Sequence, residues 1–300
     1  MFVMIFRTYG SRVGCLALIV FGLGYPWRYD WVGGAFLRQD WLAAVGISIC
    51  LMRRERFGLA GGLIAYSTMV RVFPGGFLFG PAVVVVRHLF QRRPAGWFVR
   101  LAAGFAIGVV MCVLAGGLTG IGFGAWNEFS ENLEKHHDTW LTNNVGLKNV
   151  LLYDRDTVTR ADVRWNLPEP WIVWQEKMNR LQSQRHTPLL LASGVVLILV
   201  AAAAWRLKPD EAAVLGIAVA YAVVVLTCYY WVMLLLIPMG RGRWRPTAGW
   251  LAINTGLYGL HLATPAFEMI YGVTSVALLA FSLAWLGPDA WRSLRRVNGE

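Results

Sequence analysis

The chain is poor in charge, and its few cysteines form no recognisable pattern. Charged residues make up 15% of its 300 residues and hydrophobic residues 57%, whereas soluble domains are about 25% charged. The apolar runs do not alternate with polar residues, which argues against the strands of a membrane β-barrel. A disulfide framework and a cysteine metal site are excluded too, because every cysteine lies inside an apolar segment: Cys15, Cys50, Cys112 and Cys228. These absences favour a helical integral membrane protein.

Familiar catalytic and phosphate-binding loops are also missing. The sequence contains no Walker loop, no GxSxG and no HExxH. Its net charge of +11 does not indicate nucleic-acid binding, because residues 121–187 hold nine acids and eight bases. The basic excess stands instead in short clusters beside apolar segments, as in the cytoplasmic loops of membrane proteins. These clusters are Arg53–Arg56, Arg87–Arg93, Arg206–Lys208, Arg241–Arg245 and Arg292–Arg296.

The apolar segments predict an all-α, polytopic fold with about 8–10 membrane segments, some broken or re-entrant. Two pairs of segments are split, one at Arg71–Pro74 and one near Thr227–Trp231, so each pair is one broken helix or a hairpin. Charge favours hairpins, since an even number of crossings keeps the basic clusters on one side. The segments are 13–26, 40–52, 58–70, 74–87, 101–120, 188–206, 212–227, 229–240, 248–264 and 267–286.

We expect residues 1–300 to form one transmembrane domain, with its basic loops in the cytoplasm. Residues 121–187 are then a long extracytoplasmic loop inserted between membrane segments. Two stretches of this loop have helical apolar stripes, one from Trp126 to Trp140 and one from Trp171 to Leu181. Each stripe is suited either to the membrane interface or to packing on the protein's own outer surface.

Arg71 is the first candidate functional residue. It stands between two apolar runs and is predicted to lie at a hairpin turn on the non-cytoplasmic side. Charged residues at such positions are functional candidates, and a guanidinium can hold a lipid-linked phosphate through two hydrogen bonds. The alternative is an arginine that snorkels or pairs with a neighbouring acid.

Two carboxylates, Asp30 and Asp40, flank the first predicted outer loop. Either can act as a general base or bind a cation, so a divalent cation is left open as a cofactor. The alternatives are pairing with Arg28 or Arg38 and, for Asp40, capping of the helix that starts at Trp41.

Histidine and asparagine residues of the long loop are candidates for substrate contact. His136 and His137 are adjacent, so on a helix they point in different directions and form a poor chelate. We therefore predict a structural or substrate-binding role and no metal site. Asn144 lies in a predicted turn over residues 143–147, where its side-chain amide could bind sugar hydroxyls.

Several short motifs carry a family resemblance over residues 34–287: Gly34–Trp41, Arg71–Pro74, Asn132–His136, Asn144–Leu147 and Thr227–Tyr230. With these motifs the chain resembles the C-type membrane glycosyltransferase superfamily, and within it a bacterial mannosyltransferase-like family that uses polyprenyl-phosphate sugars. The resemblance implies a catalytic acid in the first outer loop, inversion of the sugar's anomeric centre and no nucleotide site. It also implies substrate-binding roles for Arg38, Tyr229 and Tyr230.

Members of that family are usually longer, with additional helices ahead of the matched region. Their catalytic acid normally lies near their N-terminus. We therefore expect a relative that lacks the N-terminal catalytic part, with a membrane partner subunit that supplies the missing helices. The other expected partners are a polyprenyl-phosphate sugar and membrane lipid, without nucleic acid. Two other functions stay open: a transporter or flippase of lipid-linked sugars, and a non-catalytic membrane subunit.

Overall fold

The computed structural model describes residues 1–27, 39–138, 140–153, 162–242, 244–263 and 267–295, and for residues 134, 136–138, 267 and 294 it describes the backbone alone. Within this part of the chain the fold is helical, with one short pair of strands. The expectation of an all-α polytopic membrane protein is thus confirmed.

The helices follow the apolar segments closely. In chain order they are α1 (Phe2–Tyr9), α2 (Ser11–Leu23), α3 (Asp40–Arg53), α4 (Phe57–Val70), α5 (Phe79–Phe90), α6 (Gly96–Gly117), α7 (Gly124–Asp138), α8 (Leu147–Leu152), α9 (Ile172–Gln184), α10 (His186–Ala204), α11 (Pro209–Val214), α12 (Gly216–Val223), α13 (Trp244–Ala263) and α14 (Phe267–Arg295). Three segments are 3-10 helices, Tyr25–Trp27, Phe73–Leu78 and Cys228–Met239, and the strands are β1 (Asn144–Val145) and β2 (Leu226–Thr227).

Four of these helices are long and apolar enough to cross a bilayer. They cover Phe73–Phe90, Gly96–Gly117, His186–Ala204 and Glu268–Ser293. Shorter apolar helices cover Ser11–Leu23, Phe57–Val70 and Cys228–Met239. Helices suit this setting because every backbone polar group is bonded within its own segment, where no water is at hand.

Both predicted breaks are present in the structure. Helix α4 ends at Val70 and the chain resumes at Phe73, after which α5 packs on α10 and α11 while α4 packs on α3 and α6. The second break separates α12 from the 3-10 segment Cys228–Met239, with β2 between them. The predicted segment 212–227 is wrong as a single unit, because α11 ends at Val214 and α12 ends at Val223.

The closest helix pair is α4 with α6, and glycine makes it possible. A Cβ added to Gly61 would overlap the carbonyl of Leu101, and one added to Gly104 would overlap the carbonyl of Gly58. Small residues let membrane helices approach to backbone contact. The core of the fold lies elsewhere, around the 3-10 segment Cys228–Met239, where residues 231–239 are all buried.

The two amphipathic stretches of the long loop behave differently. In α9, Trp174 and Met178 are buried in a small apolar cluster with Trp140 and Leu152, so this stripe packs on the protein itself. Trp140 lies beyond the end of α7 and belongs to that cluster, which shortens the first predicted stripe. Helix α7 packs chiefly on α6, and its Phe129 and Leu133 are exposed.

Candidate functional site

Asp40 is held at the start of α3 by two hydrogen bonds. Its Oδ1 accepts the backbone N–H of Trp41 at 2.8 Å, and its Oδ2 accepts the hydroxyl of Tyr66 at 2.6 Å. Tyr66 lies in the last turn of α4, which packs against α3. A carboxylate in the first turn of a helix is also favoured by the helix dipole. Each oxygen keeps a further lone pair, so the oriented carboxylate can still accept a proton.

Arg71 lies directly after α4, at the same end of the helix pair as Asp40. Its guanidinium carbon is 5.8 Å from the centre of the Tyr230 ring, a cation–π distance. Its Nε is buried and has no hydrogen-bond partner among the described residues. The predicted alternative of a pairing with a neighbouring acid is not observed in that part of the chain.

An aromatic cluster joins these two charged side chains. It consists of Trp41, Phe73 and Tyr230, with ring centres 4.8 Å apart for Trp41 and Phe73 and 5.2 Å apart for Phe73 and Tyr230. Trp41 follows Asp40 in sequence and Phe73 follows Arg71 closely. The cluster therefore fixes the backbone of Asp40 at the start of α3 and that of Arg71 just after the end of α4.

Tyr229 and the strand pair extend the site from Tyr230 toward the long loop. The ring centres of Tyr229 and Tyr230 are 4.6 Å apart, and two residues earlier Thr227 pairs with Asn144 across β1 and β2. Cys228 N–H donates to the Asn143 carbonyl at 2.9 Å. Thr227 Oγ1 is buried and has no partner among the described residues.

Asn144 differs from its prediction in one respect. It lies in a strand, with the turn at the two residues before it, and its side chain is only 5% exposed. Its carbonyl accepts the Asn149 side-chain amide at 2.9 Å. Any contact of Asn144 with a sugar would therefore have to come from the inner face of the strand pair.

The other predicted site residues lie outside these contacts. Asp30 and Arg38 fall outside the described residues, and the side chains of His136 and His137 are likewise not described. The backbone of both histidines belongs to α7. Among the described residues no three His, Cys, Asp or Glu side chains are grouped so as to hold a metal ion.

Sequence reasoning missed Tyr66 and the pairing of Thr227 with Asn144. Tyr66 is the only hydroxyphenyl group in the run Phe57–Val70, so a polar atom at the end of an apolar helix was the available signal. For the pairing no signal existed, because a pair of two-residue strands leaves no periodic pattern.

The site belongs to a chain whose sequence matches one known family. The sequence model of glycosyltransferase family 87 matches residues 41–238. The chain belongs to glycosyltransferase family 87. The matched stretch contains Arg71, Asn144, Tyr229 and Tyr230 and begins directly after Asp40. Neither the curated proteins nor the solved structures contain a match to it.

Family membership and the four spanning helices together identify a membrane protein of a glycosyltransferase family. The expected membership of a membrane glycosyltransferase superfamily is confirmed at this level. The polyprenyl-phosphate donor and the missing N-terminal part stay predictions.

Proposed function

We propose that this protein transfers a sugar from a polyprenyl-phosphate donor to a hydroxyl-bearing acceptor outside the cytoplasm. The observation that carries the proposal is the position of Asp40 and Arg71 at the same end of the α3 and α4 pair, in a membrane chain of family 87. Such a transfer needs a fixed carboxylate and a guanidinium that is not paired with an acid, and within the described residues Asp40 and Arg71 meet these conditions. The proposed reaction has three parts.

The first part is proton removal. The acceptor oxygen forms a bond to the anomeric carbon while the bond from that carbon to the donor phosphate oxygen breaks. The carboxylate takes the acceptor's proton, and the polyprenyl phosphate leaves with the bonding electron pair. Attack opposite the leaving phosphate inverts the anomeric centre. Asp40 is the candidate base whose geometry is described, and Asp30 is the second candidate.

The second part is stabilisation of the leaving phosphate. Negative charge grows on the phosphate as the sugar departs, and a guanidinium placed there stabilises the transition state. Arg71 suits this role because the Tyr230 ring supports its guanidinium and its Nε is free of protein partners in the described part of the chain. A planar guanidinium binds two phosphate oxygens at once, which an ammonium does not.

The third part is recognition of the sugar and acceptor, for which Arg38, His136, His137, Asn144 and Tyr229 are the candidates. Tyr229 is supported by its ring contact with Tyr230. A divalent cation is left open as a cofactor of this step, since Asp30 is outside the described residues.

We also propose that the basic loops face the cytoplasm of a bacterial cell and that residues 121–187 face outward from its inner membrane. Two contacts support a common side for three basic clusters. Arg53 pairs with Asp210 at 3.5 Å, and Arg87 donates to the Trp205 carbonyl at 2.6 Å, so both clusters meet the chain around Arg206. Asp40 and Arg71 lie at the opposite ends of α3 and α5 from these contacts.

The test is transfer of radiolabelled sugar from a polyprenyl-phosphate donor by the purified protein in lipid vesicles. We expect Asp40→Asn to lower transfer by about 10²–10⁴-fold, the usual contribution of a general base. Glu176→Gln, which neutralises an exposed acid on α9, is the matched control and should leave transfer unchanged.

Asp30→Asn separates the two candidate bases. Loss of transfer in Asp30→Asn alone would move the base to Asp30 and leave Asp40 a positioning role. Absence of transfer by the folded wild-type protein would reject the proposal and favour a non-catalytic subunit, for which co-purification of a membrane partner is the next measurement.

A further inference from the structure

An open surface cavity lies at the opposite end of the helices from the candidate site, and four of its five lining residues are exposed. It has a volume of about 500 Å³ and is lined by Arg12, Leu16, Gly242, Trp244 and Arg245. Helix α2 begins at Ser11 and helix α13 begins at Trp244, so two helix N-termini converge on this space. The dipoles of both helices favour an anion there.

No described residue neutralises the charges of this cavity. Neither Arg12 nor Arg245 makes a side-chain hydrogen bond, ion pair or ring contact within the described residues, and none of the five lining residues is an acid. Other arginines at this end of the protein do have partners. Arg53 pairs with Asp210, and Arg87 donates to the Trp205 carbonyl. The two cavity arginines are therefore available to an external anion.

The walls of the cavity also suit an amphiphile. Leu16 follows Arg12 by one helical turn, so both side chains lie on the same face of α2. Trp244 is 58% exposed beside the cavity. An exposed tryptophan beside two arginines suits the level of the lipid headgroups, where its ring meets both apolar and charged groups.

The cavity is separate from the Asp40 and Arg71 site. Asp40 and Arg53 stand at opposite ends of α3, roughly 20 Å apart at the rise of an α-helix. Arg53 contacts the Tyr9 ring, and Arg12 lies three residues beyond Tyr9 in the chain. A ligand in this cavity therefore does not occupy the proposed transfer site.

We propose that this cavity binds the phosphate headgroup of an anionic membrane phospholipid. Arg12 and Arg245 hold the phosphate oxygens, the two helix N-termini add to the positive potential, and the exposed Trp244 contacts the glycerol region. Basic pockets between membrane helices are a known class of lipid-headgroup site.

The test is native mass spectrometry of the full chain, purified in detergent and mixed with phosphatidylglycerol or with phosphatidylcholine of the same acyl chains. We expect phosphatidylglycerol adducts to persist at collision energies that remove phosphatidylcholine. The double variant Arg12→Gln with Arg245→Gln should bind phosphatidylglycerol roughly thirtyfold more weakly.

The matched control is Arg56→Gln with Arg93→Gln, which removes the same charge from two exposed arginines outside the cavity. It should change the affinity by no more than a few-fold. A lysine pair, Arg12→Lys with Arg245→Lys, should recover most of the binding, which shows that loss in the glutamine pair is not misfolding.

Three results would overturn the assignment. Equal loss in the cavity pair and the control pair would mean general attraction to basic surface. Equal retention of both lipids would show that the anionic headgroup does not determine binding. Release of the lipid by millimolar inorganic phosphate alone would make this a site for a free phosphate ion.

Discussion

Two arginines at opposite ends of the helical bundle, Arg53 and Arg71, are held in different ways. At the basic end, Arg53 pairs with the buried Asp210, and the hydroxyl of Tyr9 donates to the same carboxylate at 3.1 Å. At the aromatic end, Arg71 contacts the Tyr230 ring and meets no acid in the described residues. An arginine with a built-in acid ties helices together, whereas one set on an aromatic ring keeps its charge for a ligand.

Buried polar atoms repeat the contrast only in part. At the aromatic end, Arg71 Nε, Thr227 Oγ1 and Trp231 Nε1 are buried without partners in the part of the chain described. At the basic end Thr8 Oγ1, Ser293 Oγ and Arg87 Nε are unpartnered as well, although another nitrogen of the Arg87 guanidinium reaches the Trp205 carbonyl. A buried polar atom without a partner costs free energy, so a cluster of them points to a ligand or water that fills the place.

The largest expected effect is a loss of folding stability, caused by a substitution at the basic end. Asp210→Ala removes the acceptor of Tyr9 and the partner of Arg53 at the first turn of α11, and should lower the free energy of unfolding by about 3 kcal/mol. Burial, together with the charge of Asp210, raises the pKa of Tyr9 far above its usual range. The Tyr9 hydroxyl therefore keeps its proton and needs that acceptor at every working pH.

Thermal and denaturant unfolding in detergent micelles measure this loss. The control is Asp289→Ala, which breaks an exposed ion pair with Arg292 at the same end and should cost less than about 1 kcal/mol. Transfer by the Asp210→Ala protein should stay near wild type at temperatures where it is folded. Similar stability of both variants would show that the basic end is not tied together by this cluster.

The next effect concerns the aromatic end. Arg71→Gln removes the charge proposed to bind the leaving phosphate and should lower transfer by roughly 30-fold, or about 2 kcal/mol of transition-state stabilisation. Arg100→Gln is a close control, because the Arg100 guanidinium lies 5.8 Å from the Phe57 ring, the same distance as in the Arg71 pair. Steady-state transfer rates for both variants check the prediction, and equal losses would make Arg71 an ordinary packing residue.

Much of this comparison could be read from the sequence, because charge and helix-breaking residues are local signals. The basic clusters predicted which loops share an end, and the contacts of Arg53 with Asp210 and of Arg87 with the Trp205 carbonyl are consistent with that grouping. Pro74 and the glycines after it marked the break after α4, since proline cannot continue a helix. The positions of the basic clusters and of the break after α4 could therefore be predicted from the sequence.

Which helices pack against each other could not be predicted from the sequence, because most of these helices are apolar on every side. Such a helix carries no stripe that tells which face meets which neighbour. The Asp40–Tyr66 bond depends on the rotation of α3 against α4, where Ser67 Oγ also donates to the Trp41 carbonyl at 3.0 Å. The β1 and β2 pair joins residues 83 positions apart, Asn144 and Thr227, with two residues a strand and no alternation to reveal it.

The smallest effect tests whether Tyr66 positions the proposed base. Tyr66→Phe keeps the ring and removes the hydroxyl that Asp40 Oδ2 accepts at 2.6 Å. A hydrogen bond to a charged group is worth about 1.5–3 kcal/mol, but this one is solvent-exposed and the carboxylate keeps its bond to the Trp41 N–H. We therefore expect a loss of several-fold in transfer.

The split between kcat and KM distinguishes positioning from simple structural damage. A freer carboxylate is less often aligned with the acceptor proton, so kcat should fall while KM for the lipid donor stays near wild type. Tyr258→Phe is the control, because Tyr258 meets the Tyr25 ring edge-on at 6.3 Å and phenylalanine preserves that contact. A rise in KM with kcat unchanged would assign Tyr66 to donor binding, and it would leave the Trp41 N–H as the bond that orients Asp40.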